Sequence, residues 1–209
     1  MLRMDPVVKS SRPVHRRLIL YVEGPQDRAI LRAWAYRLLP SMGRRLFGAS
    51  VILGGRRPAR AIEHFRSAGG SDAGLVGVCV LDRDDGNQPP LPDLGVPGLE
   101  FFTWGRRHIE SYVLVPAAIQ RTLRMIPDGD RRIRQAIDAA LPDSVDEAAY
   151  GRIDAKRLLG PHGELPCLVG QPISVQRVAR ATRVEELHPD VHQLFDRLRE
   201  GLGISHPLA

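Results

Sequence analysis

Only two cysteines, Cys79 and Cys167, occur among the 209 residues. That is too few for a disulfide framework or a four-cysteine zinc module, and both thiols suit a reducing, cytoplasmic setting. Cys79 lies inside the apolar run LVGVCVL, where a small buried side chain fits. No stretch approaches 18 consecutive apolar residues, so no membrane-spanning helix is expected. Residues 1–16 contain no apolar signal-peptide core and read as a frayed tail. Lysine is nearly missing: Lys9 and Lys156 are the two lysines among 30 basic residues. Where Arg would serve, this sequence uses Arg, so Lys156 raises the question of what an ammonium does that a guanidinium cannot. Lys9 sits in the tail and raises no such question.

The net charge of +6 points to a polyanionic partner, nucleic acid ahead of an acidic membrane surface. Abundant Ala, Gly and Pro accompany the arginines, so a GC-rich genome explains the skew as well as selection for binding does. Hydrophobic periodicity is more informative. RLILYV (17–22) reads as a strand ending at Glu23-Gly24-Pro25, and apolar residues at helical spacing run from Pro25 to about Leu39. A second strand at 49–53 leads through Gly54-Gly55 to a helix from Pro58, which ends at a flexible GGSDAG segment (69–74). LVGVCVL (75–81) is continuous enough for a strand covered on both faces, and a Pro-rich loop leads to a fourth strand at 99–104. This alternation predicts a mainly parallel α/β sheet of the Rossmann-like, doubly wound kind. Helical patterns follow at about 109–126, 130–141, 152–159, 174–182 and 189–201. The expected organisation is a tail (1–16), an α/β core (17–125) and a helical extension packed on it (126–209).

Open α/β sheets hold ligands beyond the carboxyl ends of their strands. Glu23 ends the first strand and Asp82 ends the third, so both are expected in one crevice. In Asp82-Arg83-Asp84 the two-residue spacing puts two carboxylates on one side of an extended chain. Asp27 follows Glu23 by one helical turn. Hard oxygen ligands of this kind suit Mg²⁺ or Mn²⁺. Turn chemistry and helix capping are the alternative for an Asp-rich strand end. Against that alternative, like charges gathered in so basic a chain are costly unless a cation joins them.

These residues carry a resemblance. LYVEGPQDRAIL resembles the first motif of Toprim proteins, a hydrophobic strand ending in Glu-Gly with an Asp soon after, and VCVLDRDDGN resembles the second, ending in Asp-x-Asp. WGRRHIESYVLVP is similar to a third block of the nuclease branch that includes the OLD family, with Glu110 at its acidic position. GRIDAKRLLG places Lys156 where that branch carries a lysine ahead of Leu-Leu. The resemblance implies a Toprim fold and divalent-metal-dependent phosphodiester hydrolysis using one or two Mg²⁺ or Mn²⁺ ions. It implies Glu23, Asp82 and Asp84 as metal ligands, Asp27 and Glu110 completing or bridging a second ion, and Lys156 acting on the phosphate or leaving oxygen. The sequence lacks the zinc-module cysteines of Toprim primases, and no G-x-x-x-x-G-K-[ST] motif supplies the ATPase of OLD proteins. It therefore reads as the Toprim half alone, with a separate ATPase as a candidate partner in a defence-type complex.

Arg106 and Arg107 are expected beside the site as nucleic-acid contacts, DNA ahead of RNA, since phosphate neutralisation dominates affinity. Arg56 and Arg57, following Gly54-Gly55 and preceding a helix, could hold a phosphate; a plain strand-to-helix turn accounts for them equally. Trp104 and Tyr112 are expected in the core. His188 and His192 sit four apart with no third ligand in view. Two function classes stay open: a metal-dependent nuclease, and a non-catalytic module that binds nucleic acid or an ATPase. A receiver domain would want paired acids after its first strand, the reverse of the arrangement here.

Overall fold

The computed structural model describes residues 17–83, 95–123, 129–143 and 146–204. The expected tail, Asp84 and most of the Pro-rich loop lie outside them. Four parallel strands, β1 (Arg17–Val22), β2 (Val51–Ile52), β3 (Leu75–Leu81) and β4 (Leu99–Thr103), form one sheet in the order β2-β1-β3-β4. Helices α1 (Pro25–Leu38) and α2 (Gly43–Gly48) connect β1 to β2, and α3 (Pro58–Ser67) connects β2 to β3. The expected parallel α/β architecture is the one observed.

Side-chain alternation along the strands builds two apolar layers. Leu18, Leu20, Val22, Val78, Val80 and Phe102 face the α1 side, where they merge with the later helices into one large core. Tyr21, Leu75, Cys79, Leu81 and Leu99 face the other side and pack with Ala61 and Phe65 of α3. Cys79 is fully buried there, as its apolar run suggested. Gly77 is required at its place in β3, because a Cβ would press into Leu99 and the Phe65 ring.

From β1 the chain moves outward to β2, then returns past β1 to β3 and continues to β4. The reversal opens a crevice at the carboxyl ends of β1 and β3, the usual ligand position in such sheets. These two strands are direct neighbours, with Tyr21 paired to Cys79, so Glu23 and Asp82 emerge side by side.

After β4 come a 3-10 helix (Ile109–Val113) and helices α4 (Pro116–Thr122), α5 (Gly129–Ala140), α6 (Glu147–Arg152), α7 (Ala155–Leu159), α8 (Glu164–Val169), α9 (Val175–Ala181) and α10 (Pro189–Gly201). The single helix expected at 109–126 is broken: Val115, ahead of Pro116, is extended, as the residue before a proline prefers. The expected 152–159 helix is split as well, with the Asp154 side chain accepting from the Arg157 N–H to begin α7. α2, α6 and α8 escape sequence patterning because each is six residues long and held by its surroundings. α9 packs on α1, and α10 closes over β3 with Leu194, Phe195 and Leu198 fully buried.

Candidate functional site

Glu23 is placed by the strand that precedes it and by the turn that follows β2. Its carbonyl oxygen accepts from the N–H groups of Gly54 and Gly55, at 2.9 and 3.0 Å. Both glycines have positive φ, 75° and 112°, which explains the residue type at this turn. Of the two readings of this segment, phosphate holder or plain strand-to-helix turn, these bonds favour the turn: both N–H groups hold the β1 end in place. The Glu23 carboxylate accepts from the Asp82 N–H at 2.8 Å, tying the ends of β1 and β3 together.

Asp82 is buried, and each of its oxygens has a defined partner. Oδ1 accepts from the Ile109 N–H at 2.9 Å and Oδ2 from Lys156 Nζ at 2.8 Å. Asp27 Oδ2 accepts from the Gly24 N–H at 2.8 Å, anchoring the first turn of α1. Glu110 is 2% exposed, so it is no solvated first-turn residue. Its Oε1 accepts from Gln26 Nε2 at 2.8 Å, whereas Oε2 is buried without a hydrogen bond, 3.9 Å from Lys156 Nζ. Lys156 thus bridges Asp82 and Glu110 across the crevice, rather than pairing with its sequence neighbours Asp154 or Glu164. Asp84 lies outside the described residues.

Burial and crowding set the protonation of these groups. Burial first, then the Asp82 charge, raises Asp27 to about 6. Burial raises Glu110 to about 7, against the opposing Lys156 charge. Burial alone would lower Lys156, yet the bond to Asp82 and the charges of Glu110 and Asp27 leave it above its ordinary value. Lys156 is therefore an ammonium here, a source of charge or of a proton rather than a base.

Because the folded state holds the Asp27 and Glu110 protons more tightly than the unfolded chain, their contribution to stability is present below about pH 4 and lost as pH rises to about 7. In EDTA, these two carboxyls are expected to lower the unfolding free energy between pH 5 and pH 8 by an amount on the order of 3 kcal/mol, read as the difference between the wild type and a variant lacking both. Asp27→Asn with Glu110→Gln should flatten that slope in urea unfolding measured across pH. A slope unchanged in the double variant contradicts the assignment.

Whether this set suits a divalent cation is a question of donors. All four carboxylates, Glu23, Asp27, Asp82 and Glu110, are hard oxygen ligands of the kind Mg²⁺ and Mn²⁺ prefer. Glu110 Oε2, without a hydrogen bond, and the raised carboxyls fit a site to which added positive charge would be favourable beyond the one ammonium of Lys156. Among the described residues, however, no three His, Cys, Asp or Glu side chains converge as a ready cation cage. The residues fit such an ion on condition that Lys156 and Asp82 part.

The arginines divide. Arg56 reaches the crevice and donates to the carbonyl oxygen of Asp82, and Arg57 is exposed just before α3. Arg107 is half-buried, with a guanidinium nitrogen 3.7 Å from Asp154. Arg106, expected to reach a nucleic-acid strand, is buried. Its guanidinium donates to Glu147 and to the Ser111 carbonyl and lies against the rings of Tyr112 and Tyr150. Tyr112 and Trp104 are core residues, and the Tyr112 hydroxyl donates to Asp190 at 2.5 Å. His188 accepts from the Asp190 N–H and begins α10.

Three residues near the site were not singled out from sequence. Gln26 holds Glu110, and its signal was its place one turn after Glu23. Arg83 donates to the Gly105 and Gly151 carbonyls, clamping the β3 end to the later helices. His108 is buried two residues before Glu110, with Nδ1 unpartnered, and burial followed by the Lys156 charge lowers its pKa.

No protein-family model and no curated protein matches the chain. Solved structures do. The C-terminal region of the Burkholderia pseudomallei OLD protein aligns over 90% of this chain and 98% of its own, with a TM-score of 0.53 and 17% identity. The C-terminal region of the Xanthomonas campestris pv. campestris OLD protein aligns over 92% and 98%, with a TM-score of 0.51 and 17% identity. The chain therefore has the Toprim-type α/β fold of the OLD C-terminal region, along nearly its whole length. Among the described residues, no helix is long and apolar enough to cross a membrane.

Proposed function

We propose that the chain is a divalent-metal-dependent phosphodiester hydrolase of nucleic acid, with its active site in the crevice beyond β1 and β3. The observation that carries this reading is the meeting of Asp82, Glu110 and Lys156, from three separate chain segments, at the switch point of the sheet. Glu23, Asp82 and Glu110, with Asp27 and Asp84, are the residues that would hold one or two Mg²⁺ or Mn²⁺ ions. Such ions supply activation of water and stabilisation of charge on the phosphate.

The chain's own groups do the rest. Glu23 holds the Asp82 backbone and the Ile109 N–H holds one carboxylate oxygen, so the departure of Lys156 is the change that frees Asp82 for a ligand. Gln26 does the same for Glu110. Lys156, half-exposed and firmly protonated, leaves Asp82 to neutralise the phosphoryl oxygens or to give a proton to the leaving oxygen. Arg56 and Arg57 supply charge for the phosphates that flank the reacting one.

A second reading has its own support. The Lys156–Asp82 pair occupies the central carboxylate, as a non-catalytic module binding nucleic acid or a separate ATPase could keep it. One assay separates the two: plasmid and single-stranded DNA and RNA, incubated with purified protein in Mg²⁺, Mn²⁺ or EDTA. Cleavage that needs metal supports the hydrolase. Retained binding without cleavage, even with an ATPase partner added, supports the module.

A further inference from the structure

A cleft of about 540 Å³ opens directly from the carboxylate site, with Glu110 and Lys156 at the junction. Its walls come from the first turns of α1, from α7 and from the segment leading into α9. That volume is in the range of small-molecule sites, roughly 300–1,000 Å³. The lining is apolar along Ile30, Leu159 and Ile173, with the neutral polar groups of Gln26, Ser174 and Gln176 around it. In a chain with 28 arginines, none of the described lining residues is one, and among them Lys156 is the cation, at the mouth. A track for a sugar-phosphate backbone needs distributed positive charge. The lining suits a group that is neutral, partly apolar and capable of hydrogen bonding, attached to a phosphate at the carboxylates and Lys156.

We infer that the cleft receives the unpaired nucleobase next to the phosphate bound at the site. This rests on the proposed function and narrows its substrate class. A paired base cannot leave its stack without the cost of unpairing, so single strands, frayed ends and unpaired bases are favoured over intact duplex. The amide of Gln26, already oriented by its bond to Glu110, links the base-binding wall to the carboxylate site.

Binding of deoxyadenosine 5′-monophosphate and of 2-deoxyribose 5-phosphate, compared by calorimetry in Mg²⁺, isolates the base. The nucleotide should bind at least about tenfold more tightly, consistent with burial of a base in an apolar cleft. Gln176→Trp, at an exposed position on α9, and Ala29→Phe on α1 should fill the cleft and erase that difference while sparing the sugar phosphate. Equal affinity for the two ligands, or a base preference untouched by both variants, overturns the cleft. Single-turnover cleavage of intact and abasic single strands, with matched duplex, runs in parallel. Base-dependent binding without hydrolysis sinks the hydrolase but keeps the cleft. Hydrolysis indifferent to the base and to pairing does the reverse.

Discussion

Asp82→Asn is expected to lower metal-dependent cleavage by a factor on the order of 10²–10³, the scale seen when one preorganised charge-stabilising group is removed from a reaction centre. The substitution keeps an oxygen for the Ile109 N–H, so the β3 end should stay where it is. It removes the negative charge that Lys156 now satisfies and that a cation would share. Circular dichroism should be unchanged, and the gain in melting temperature on adding Mn²⁺ should shrink, because a ligand stabilises only the state that binds it. A full Mn²⁺ response in the variant would remove Asp82 from the metal site.

Lys156→Arg is expected to reduce the single-turnover cleavage rate by about tenfold or more while leaving the DNA-binding isotherm at matched salt nearly unchanged. Lys156→Met should reduce it further, by about 10². An ammonium acting on the transition state affects turnover more than binding. Arg keeps the charge but carries a wide planar fork into a place where one Nζ sits 2.8 Å from Asp82 and 3.9 Å from Glu110. The measurement is the rate beside the isotherm for the three proteins. Undiminished cleavage by the Arg variant would assign Lys156 to holding the carboxylates in place rather than to the reaction.

Strands were legible in the sequence because each is a β-rich run ended by a turn signal. Arg17–Val22 and Leu75–Leu81 fall where the pattern put them, and α10 (Pro189–Gly201) matches from proline to glycine. The juxtaposition of Glu23 and Asp82 followed from topology alone, since parallel strands deliver their carboxyl ends to one edge. Short elements were harder to read. α2 and α8 are helices of under two turns whose stability lies in what they touch, and β2 shrank to two residues. The role of Arg106 was also hidden: a pair of adjacent arginines says nothing of Glu147, Tyr112 and Tyr150, which come from later in the chain to enclose one of them. Burial of Glu110 was not legible either: the resemblance put it at the metal site, but an acid at a helix start is nearly as well explained by an exposed residue favoured by the helix dipole.

An anomalous difference map from a crystal grown with Mn²⁺ should show a peak in the crevice among Glu23, Asp82 and Glu110, with Lys156 moved away from Asp82. No peak there, with the Lys156–Asp82 pair intact at saturating Mn²⁺, would contradict the metal site.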